Sequence, residues 1–346
     1  MKSTSALVTA VITLSLTACT TNDAEEETAA PPDYSEVGPW SVGNLSVEIE
    51  SSGGLILEAE VWFPSDGTGT IPRFYEVISW DLPGIAYTDL EASCESPLPV
   101  LIHSHGNGSL PIEMFEVHEH VASHGWLVLS PGHTENTLFD NMQQTEELMV
   151  RRPQDIRDVF DWAVAQSTDP ESPLYGCVDE AAGYANSGYS FGGYTAFANG
   201  GALVASDDDS EAADLSDPRV TAIVPLAPWD AFGSLTEGSS AVEVPSLIIG
   251  GERDDTVGTA YIDLFENISL APSRLASFPD AGHYSFVPIF CPVLNTDGCG
   301  DDYVDYDYFV GFMKSSITTF LEEQRGVEGA EEQYPEEDGL FSWSGE

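Results

Sequence analysis

Between residues 55 and 279 the apolar positions fall into short runs with little polar interruption, separated by longer stretches in which they recur every three or four residues. "LILEAEVWF" (55–63), "LPVLIHS" (98–104), "WLVLS" (126–130), "RVTAIVPLA" (219–227), "VPSLIIGG" (244–251) and "RLASFP" (274–279) read as strands. Several lack polar alternation, the pattern of strands buried on both faces. "PIEMFEVHEHVASH", "PQDIRDVFDWAVAQ", "GTAYIDLFENIS" and "YFVGFMKSSITTFLEEQ" fit helices, as does the small-residue stretch after Ser190 in spite of its glycines. Residues 182–187 carry alanine where a strand favours β-branched side chains, and they are read as a buried strand crowded by its neighbours. The alternation predicts an α/β fold with a mostly parallel sheet covered by helices on both faces. No internal repeat is visible.

The two ends depart from this pattern. Residues 1–18 combine a basic start at Lys2 with an apolar stretch too short for a membrane span, the form of a secretion signal. Its end, "LTAC", resembles the lipobox of bacterial lipoproteins, which would make Cys19 the lipid attachment point. The competing reading is an ordinary signal peptide and secretion without an anchor. Residues 19–36 read as an acidic, proline-bearing tether and 326–346 as an acidic tail, leaving 37–325 as the expected catalytic domain.

Charge and cysteines narrow the setting. Fifty-nine acidic against ten basic residues give a net charge of -49, which argues against nucleic acid and anionic surfaces as partners. Lys2 and Lys314 are the only lysines. Such a surface resembles that of proteins from saline habitats, where salt screens self-repulsion. With Cys19 set aside, Cys94, Cys177, Cys291 and Cys299 form an even set in an exported chain, which predicts two disulfides.

Candidate chemistry gathers at strand ends. Gly188-Tyr189-Ser190-Phe191-Gly192 has G-x-S-x-G spacing, in which a serine at a sharp strand-to-helix turn needs neighbours without bulk. "GERDD" (251–255), "AGHYSF" (281–286) and "HSHGNG" (103–108) follow other predicted strands. In parallel sheets, reacting groups collect on loops at those carboxyl ends. Ser190 is the candidate nucleophile, His283 the base, and Asp254 or Asp255 the acid. The backbone N–H of Phe191, next after the serine, is one oxyanion donor.

The order serine, acid, histidine, with "PLPVLIHSHGNGSLPIEMFEVHEHVASHGWLVLSPGHTENTLFD", "GYSFGGYTA", "DPRVTAIVPLAPW", "VPSLIIGGERDDTV" and "GHYSF", resembles the α/β-hydrolase superfamily. Its platelet-activating factor acetylhydrolase and dienelactone hydrolase-like branch is the most similar, over residues 37–322. Tyr189 replaces the histidine usual in that motif, and Gly258 stands where a proline often follows the acid. Counting back from that position selects Asp254. The resemblance implies an α/β-hydrolase fold, the Asn107 N–H as second oxyanion donor, and His105 as a brace for that loop, while the stretch from Trp229 to Glu243 leaves no room for a large lid and 134–153 gives at most a modest rim. Its strand order makes the strands after Cys94 and Cys177 neighbours, which implies a Cys94–Cys177 bond at the sheet end away from the site. Cys291–Cys299 would close a short loop after His283. Polyester-degrading cutinases show a Pro-Trp similar to Pro228-Trp229, which makes Trp229 a candidate substrate contact.

His120 and His124, four apart on a predicted helix, lack the carboxylate order of a zinc-protease motif and are read as helix-surface side chains. No metal and no cofactor are expected. The expectation is an exported serine carboxylic ester hydrolase, a monomer at the bacterial cell envelope, acting through an acyl-enzyme on short-chain or acetyl esters. Polyester hydrolysis is the first alternative. A binding lipoprotein that keeps the fold without turnover is the alternative of another class.

Overall fold

The computed structural model describes residues 33–77, 80–142, 145–205, 212–292, 294 and 296–345. The expected leader, Cys19 and most of the tether lie outside these residues. The chain opens with β1 (Ser41–Glu50), β2 (Ile56–Ser65), β3 (Pro72–Val77), β4 (Trp80–Tyr87) and β5 (Val100–Ser104), followed by α1 (Phe115–Ser123), β6 (Leu127–Pro131) and α2 (Thr145–Thr168). β7 (Tyr184–Tyr189), α3 (Phe191–Asn199), the short pair β8 (Leu203–Val204) and β9 (Ala213–Asp214), and β10 (Val220–Leu226) come next. β11 (Ser246–Gly251), α4 (Ala260–Asn267), β12 (Ser273–Phe278), α5 (Tyr306–Gln324) and β13 (Ser342–Gly345) complete it.

Among the described residues eleven strands join in the order β13-β12-β11-β10-β7-β5-β6-β2-β1-β4-β3. The six from β12 to β6 are parallel, and β2, β1 and β3 add antiparallel pairs at one side. Alternate side chains of each central strand point to opposite faces. Leu101, Val128, Val224 and Ile249 pack with α1 and α5, while Ile102, Leu129, Ile223 and Ile248 pack with α2, α3 and α4. Burial on both faces explains the unbroken apolar runs, and the expected α/β-hydrolase architecture holds.

Several elements differ from the sequence expectation. The acidic tail, expected outside the fold, supplies β13, which pairs antiparallel with β12. Phe341 is buried against Phe278 and Phe312, so a few aromatics outweigh the acidic composition around them. β1, β3 and β4 were not expected. Pro83 interrupts the β4 pattern, yet it is tolerated because β4 pairs with β1 at only one position and otherwise with the edge strand β3. Helix α2 begins at Thr145 and runs through Pro153, where the sequence placed its start. Proline removes the hydrogen bond to the carbonyl four residues back, and the Tyr194 hydroxyl donates to that Met149 carbonyl instead, at 3.1 Å. His120 is buried rather than on a helix surface, because Tyr34 and its neighbours fold over it and the Tyr34 carbonyl meets its ring nitrogen at 3.0 Å.

The disulfides Cys94–Cys177 and Cys291–Cys299 are both present. The first lies before β5 and β7, where the Leu98 N–H donates to the Cys177 carbonyl at 2.7 Å. Two such bonds indicate an oxidising, extracytoplasmic setting. Among the described residues no helix is long and apolar enough to cross a membrane.

Candidate active site

Ser190 sits where central strand β7 turns into α3. Its φ of 56° and ψ of -114° are a conformation that an L-residue seldom holds. The turn is possible because its neighbours lack side chains. A Cβ on Gly188 would lie 2.1 Å from the Gly192 carbonyl oxygen, and one on Gly192 would lie 1.7 Å from the Ser104 carbonyl oxygen. The small residues of β7, which lower its strand propensity, let α3 approach this closely. The Ser190 N–H donates to the Leu226 carbonyl at 2.9 Å, tying the turn to β10.

His283 follows β12 in a 3₁₀ turn (His283–Ser285) and brings Nε2 to 3.0 Å from Ser190 Oγ. Its Nδ1 lies 2.7 Å from Asp254 Oδ2, after β11. A carboxylate can only accept, so Nδ1 carries the hydrogen and Nε2 is left to accept from the serine. Asp254 Oδ1 accepts from the N–H groups of Thr256 and Val257 at 2.9 and 2.8 Å, which fixes the carboxylate. Of the two adjacent aspartates, Asp254 therefore faces the histidine. Tyr189, at the position of the family's usual histidine, packs at a tilt against the His283 ring, 4.9 Å between centroids, and donates its hydroxyl to the His283 carbonyl at 3.0 Å. That departure thus touches the site itself.

Asn107 faces Ser190 from the loop after β5, and both line the cavities on either side of the serine. Glu113 holds this loop. It accepts from the Gly106 N–H at 3.1 and 3.2 Å and from the Ser109 hydroxyl, and meets His103 Nε2 at 3.1 Å. His105 braces the loop as expected, with Nδ1 2.6 Å from the Gly106 carbonyl and Nε2 accepting from the His133 N–H at 3.0 Å. Fully buried Arg152 donates to the His105 carbonyl and to Asn136 Oδ1. Asn136 in turn donates to Asn107 Oδ1 at 2.8 Å. The same guanidinium lies 4.4 Å from the Phe191 ring centroid, so one cation supports both loops that carry the expected oxyanion donors.

Beneath that loop is a second serine–histidine–aspartate chain that the sequence did not reveal. Ser104 Oγ is 2.9 Å from His133 Nε2, and His133 Nδ1 is 2.8 Å from Asp155 Oδ2. Burial, then the nearby Arg152 charge, holds His133 well below the ordinary histidine range, and burial raises Asp155 to about 7.

Two cavities flank Ser190. One of about 300 Å³ is walled by Leu138, Tyr284, Val287, Phe290 and Leu294. The other, of about 240 Å³, is walled by Phe191, Trp229, Phe232 and Val257. Half-buried Trp229 thus reaches the same cleft as Ser190, edge-on to Phe191 and Phe232 at 4.9 and 5.0 Å. A larger cavity of about 440 Å³, lined by Pro97, Trp126, Gly183 and Arg325, holds none of these side chains.

The fold and the carboxyl-end cleft define an α/β-hydrolase. The chain belongs to the PET hydrolase-like family, whose pattern matches residues 109–287. It is therefore a carboxylic ester hydrolase by family. Its fold is similar to that of a ferulic acid esterase from Streptomyces cinnamoneus, with a TM-score of 0.68 and 18% identity over 92% of this chain and 98% of that one. No curated protein matches the sequence.

Proposed function

We propose that the protein is an exported serine ester hydrolase that works through an acyl-enzyme, with short-chain esters and segments of aromatic polyester as substrates. The hydrogen-bonded chain from Ser190 through His283 to Asp254, opening on a cleft between two apolar cavities, carries this reading. Ser190 attacks the ester carbonyl as His283 takes its proton, and the imidazolium then protonates the departing alcohol. Water, activated by the same histidine, releases the acid. The N–H groups of Phe191 and Asn107 receive the oxyanion, each worth about 2.7–4 kcal/mol to the transition state. Family membership and the aromatic wall at Trp229 favour polyester segments beside small soluble esters. The lipobox-like "LTAC" supports attachment at Cys19, with residues 20–32 as a tether and Tyr34 already packed on the domain.

The test is turnover of p-nitrophenyl butyrate and of bis(hydroxyethyl) terephthalate by the parent, with mass-spectrometric location of a fluorophosphonate label. Hydrolysis with the label on Ser190 is expected. A folded protein that hydrolyses neither ester and takes no label would favour the binding-lipoprotein alternative.

A further inference from the structure

His283 and Asp254 stand on separate loops, and their 2.7 Å contact requires those loops to keep register. A third loop, closed by Cys291–Cys299, reaches both. Its Asp297 is buried and directs its carboxylate at their backbones. Oδ1 accepts from the His283 N–H at 3.0 Å and from the Asp255 N–H at 3.2 Å. Oδ2 accepts from the Thr256 hydroxyl at 2.5 Å. The Asp297 carbonyl also accepts from the Tyr284 N–H at 2.8 Å. One residue thus holds the histidine's own backbone and the two residues that follow Asp254.

The surroundings restrict where Asp297 can sit. Gly298 has φ 103°, and a Cβ there would lie 2.4 Å from the Ser285 nitrogen, so the loop packs directly on the histidine turn. The Ser285 hydroxyl donates to the Gly298 carbonyl at 3.2 Å. The disulfide ties Cys299, two residues beyond Asp297, back to Cys291, eight residues earlier, which limits the loop to few conformations.

We infer that Asp297 is a positioning residue that fixes the His283 and Asp254 loops against each other, with the Cys291–Cys299 loop as its mount. This rests on the proposed roles of Ser190, His283 and Asp254. Asp297 lines neither cavity at the serine and acts through the backbone of other residues. Its contribution is to the alignment of the relay, where a displacement near 1 Å costs about 10²-fold in rate.

Asp297→Ala, in the full chain on p-nitrophenyl butyrate, is expected to lower kcat about 30- to 100-fold while KM stays within about threefold. Asp297→Asn keeps an acceptor toward the His283 N–H, and a rotated Thr256 hydroxyl can accept from its amide, so it should retain kcat within about fivefold. Cys291→Ser/Cys299→Ser, which loosens the mount and keeps the carboxylate, should lower kcat about fivefold with KM unchanged. The inference is overturned if folded Asp297→Ala keeps kcat within threefold of the parent, or if Asp297→Asn loses as much as Asp297→Ala. If Asp297→Ala does not fold, an unchanged kcat in the double serine variant overturns it. Ser190→Ala in the same assay separates this from the functional reading. Full turnover there sinks the reading itself, whereas an inactive Ser190→Ala beside an unimpaired Asp297→Ala sinks only the role of Asp297.

Discussion

Ser190–His283–Asp254 and Ser104–His133–Asp155 have almost the same dimensions, 3.0 and 2.7 Å in one and 2.9 and 2.8 Å in the other. Their settings differ in every other respect. Ser190 sits in a left-handed turn between two cavities, whereas Ser104 ends a regular strand with no exposed surface. The Ser104 oxygen also accepts from Arg152 at 3.3 Å. Hydrogen-bond geometry alone therefore does not mark a nucleophile. A free approach to the oxygen and donors facing the new oxyanion are what separate the two. The buried chain is better understood as the footing of the loop that carries Asn107.

The largest contrast lies between the two serines. Ser190→Ala should lower kcat/KM on p-nitrophenyl butyrate by on the order of 10⁴-fold or more. Ser104→Ala should cost less than about tenfold in rate and about 1–2 kcal/mol in stability, because it strands His133 Nε2 and a guanidinium N–H. Urea titration beside the kinetics reads both effects. Similar rate losses in the two variants would erase the distinction.

The aspartates should divide in the same way. Asp155→Ala leaves the His133 Nδ1–H without its acceptor and removes one of the two carboxylates, with Glu113, that offset the buried Arg152 charge, and should cost about 3 kcal/mol of stability. Asp254→Ala should change stability by less than that while lowering kcat about 10⁴-fold, as the loss of an orienting carboxylate does. Denaturant midpoints decide the first, and single-turnover rates the second. Unchanged stability in Asp155→Ala would remove the buried chain from the frame of the molecule.

The two chains were unequally visible in the sequence. Ser190 announces itself through local spacing, since the glycines at 188 and 192 are needed within one turn. His283 and Asp254 follow apolar runs that already read as strands. Choosing Asp254 over Asp255 took a resemblance, and the physical reason, two N–H groups from Thr256 and Val257, became visible only in three dimensions. Ser104, His133, Asp155 and Arg152 are brought together by β5, β6 and α2 through hydrogen bonds that span 22 to 48 residues, with no periodic signature. Asp297 was hidden in the same way, as one more acid in an acidic chain. Polar interruption concealed β1, β3 and β4, and acidic composition concealed β13.

Acid should test how far buried histidines without a carboxylate differ from His133. The His133–Asp155 pair nearly balances. Folded, its carboxyl takes a proton near 7 while the ring refuses one; unfolded, the ring takes one at its ordinary value. His120 has no such compensation. Burial, then neighbouring His124, lowers it from 6.5 to about 4. Between these values the unfolded state binds the extra proton, so this contribution is full above about pH 6.5 and is lost as pH falls toward 4. At about 1.4 kcal/mol per unit it amounts to about 3 kcal/mol at most. His120→Gln can keep the donor to the Tyr34 carbonyl without the titration. The stability gap between parent and variant should therefore shift by up to that amount across the window, in favour of the variant at low pH. A gap that stays constant from pH 7 to 4 would show that His120 protonates alike in both states.

The smallest expected effect concerns what the open chain faces and the buried one lacks, an aromatic wall. The Trp229 indole is wedged edge-on between Phe191 and Phe232, and the backbone N–H of the residue donates to the Ser190 carbonyl at 3.0 Å. Phe232 is 87% exposed, and it and Ala231 hold φ values of 57° and 55°. Two successive non-glycine residues in that region cost of order 1–3 kcal/mol each, so this exposed ring is held at the cleft against a local penalty. An indole and a phenyl at right angles offer a face and an edge to a flat acyl group, a geometry worth about 0.5–1.5 kcal/mol. Trp229→Ala should accordingly lower kcat/KM on bis(hydroxyethyl) terephthalate about 5- to 10-fold and on p-nitrophenyl butyrate less than about threefold, with Phe232→Ala following at a smaller amplitude. A loss confined to the aromatic diester ties the wall to recognition of the acyl group. Equal losses on both esters with folding unchanged would make Trp229 a support for the Ser190 turn, through its packing on Phe191, and would withdraw the structural reason to expect polyester as a substrate.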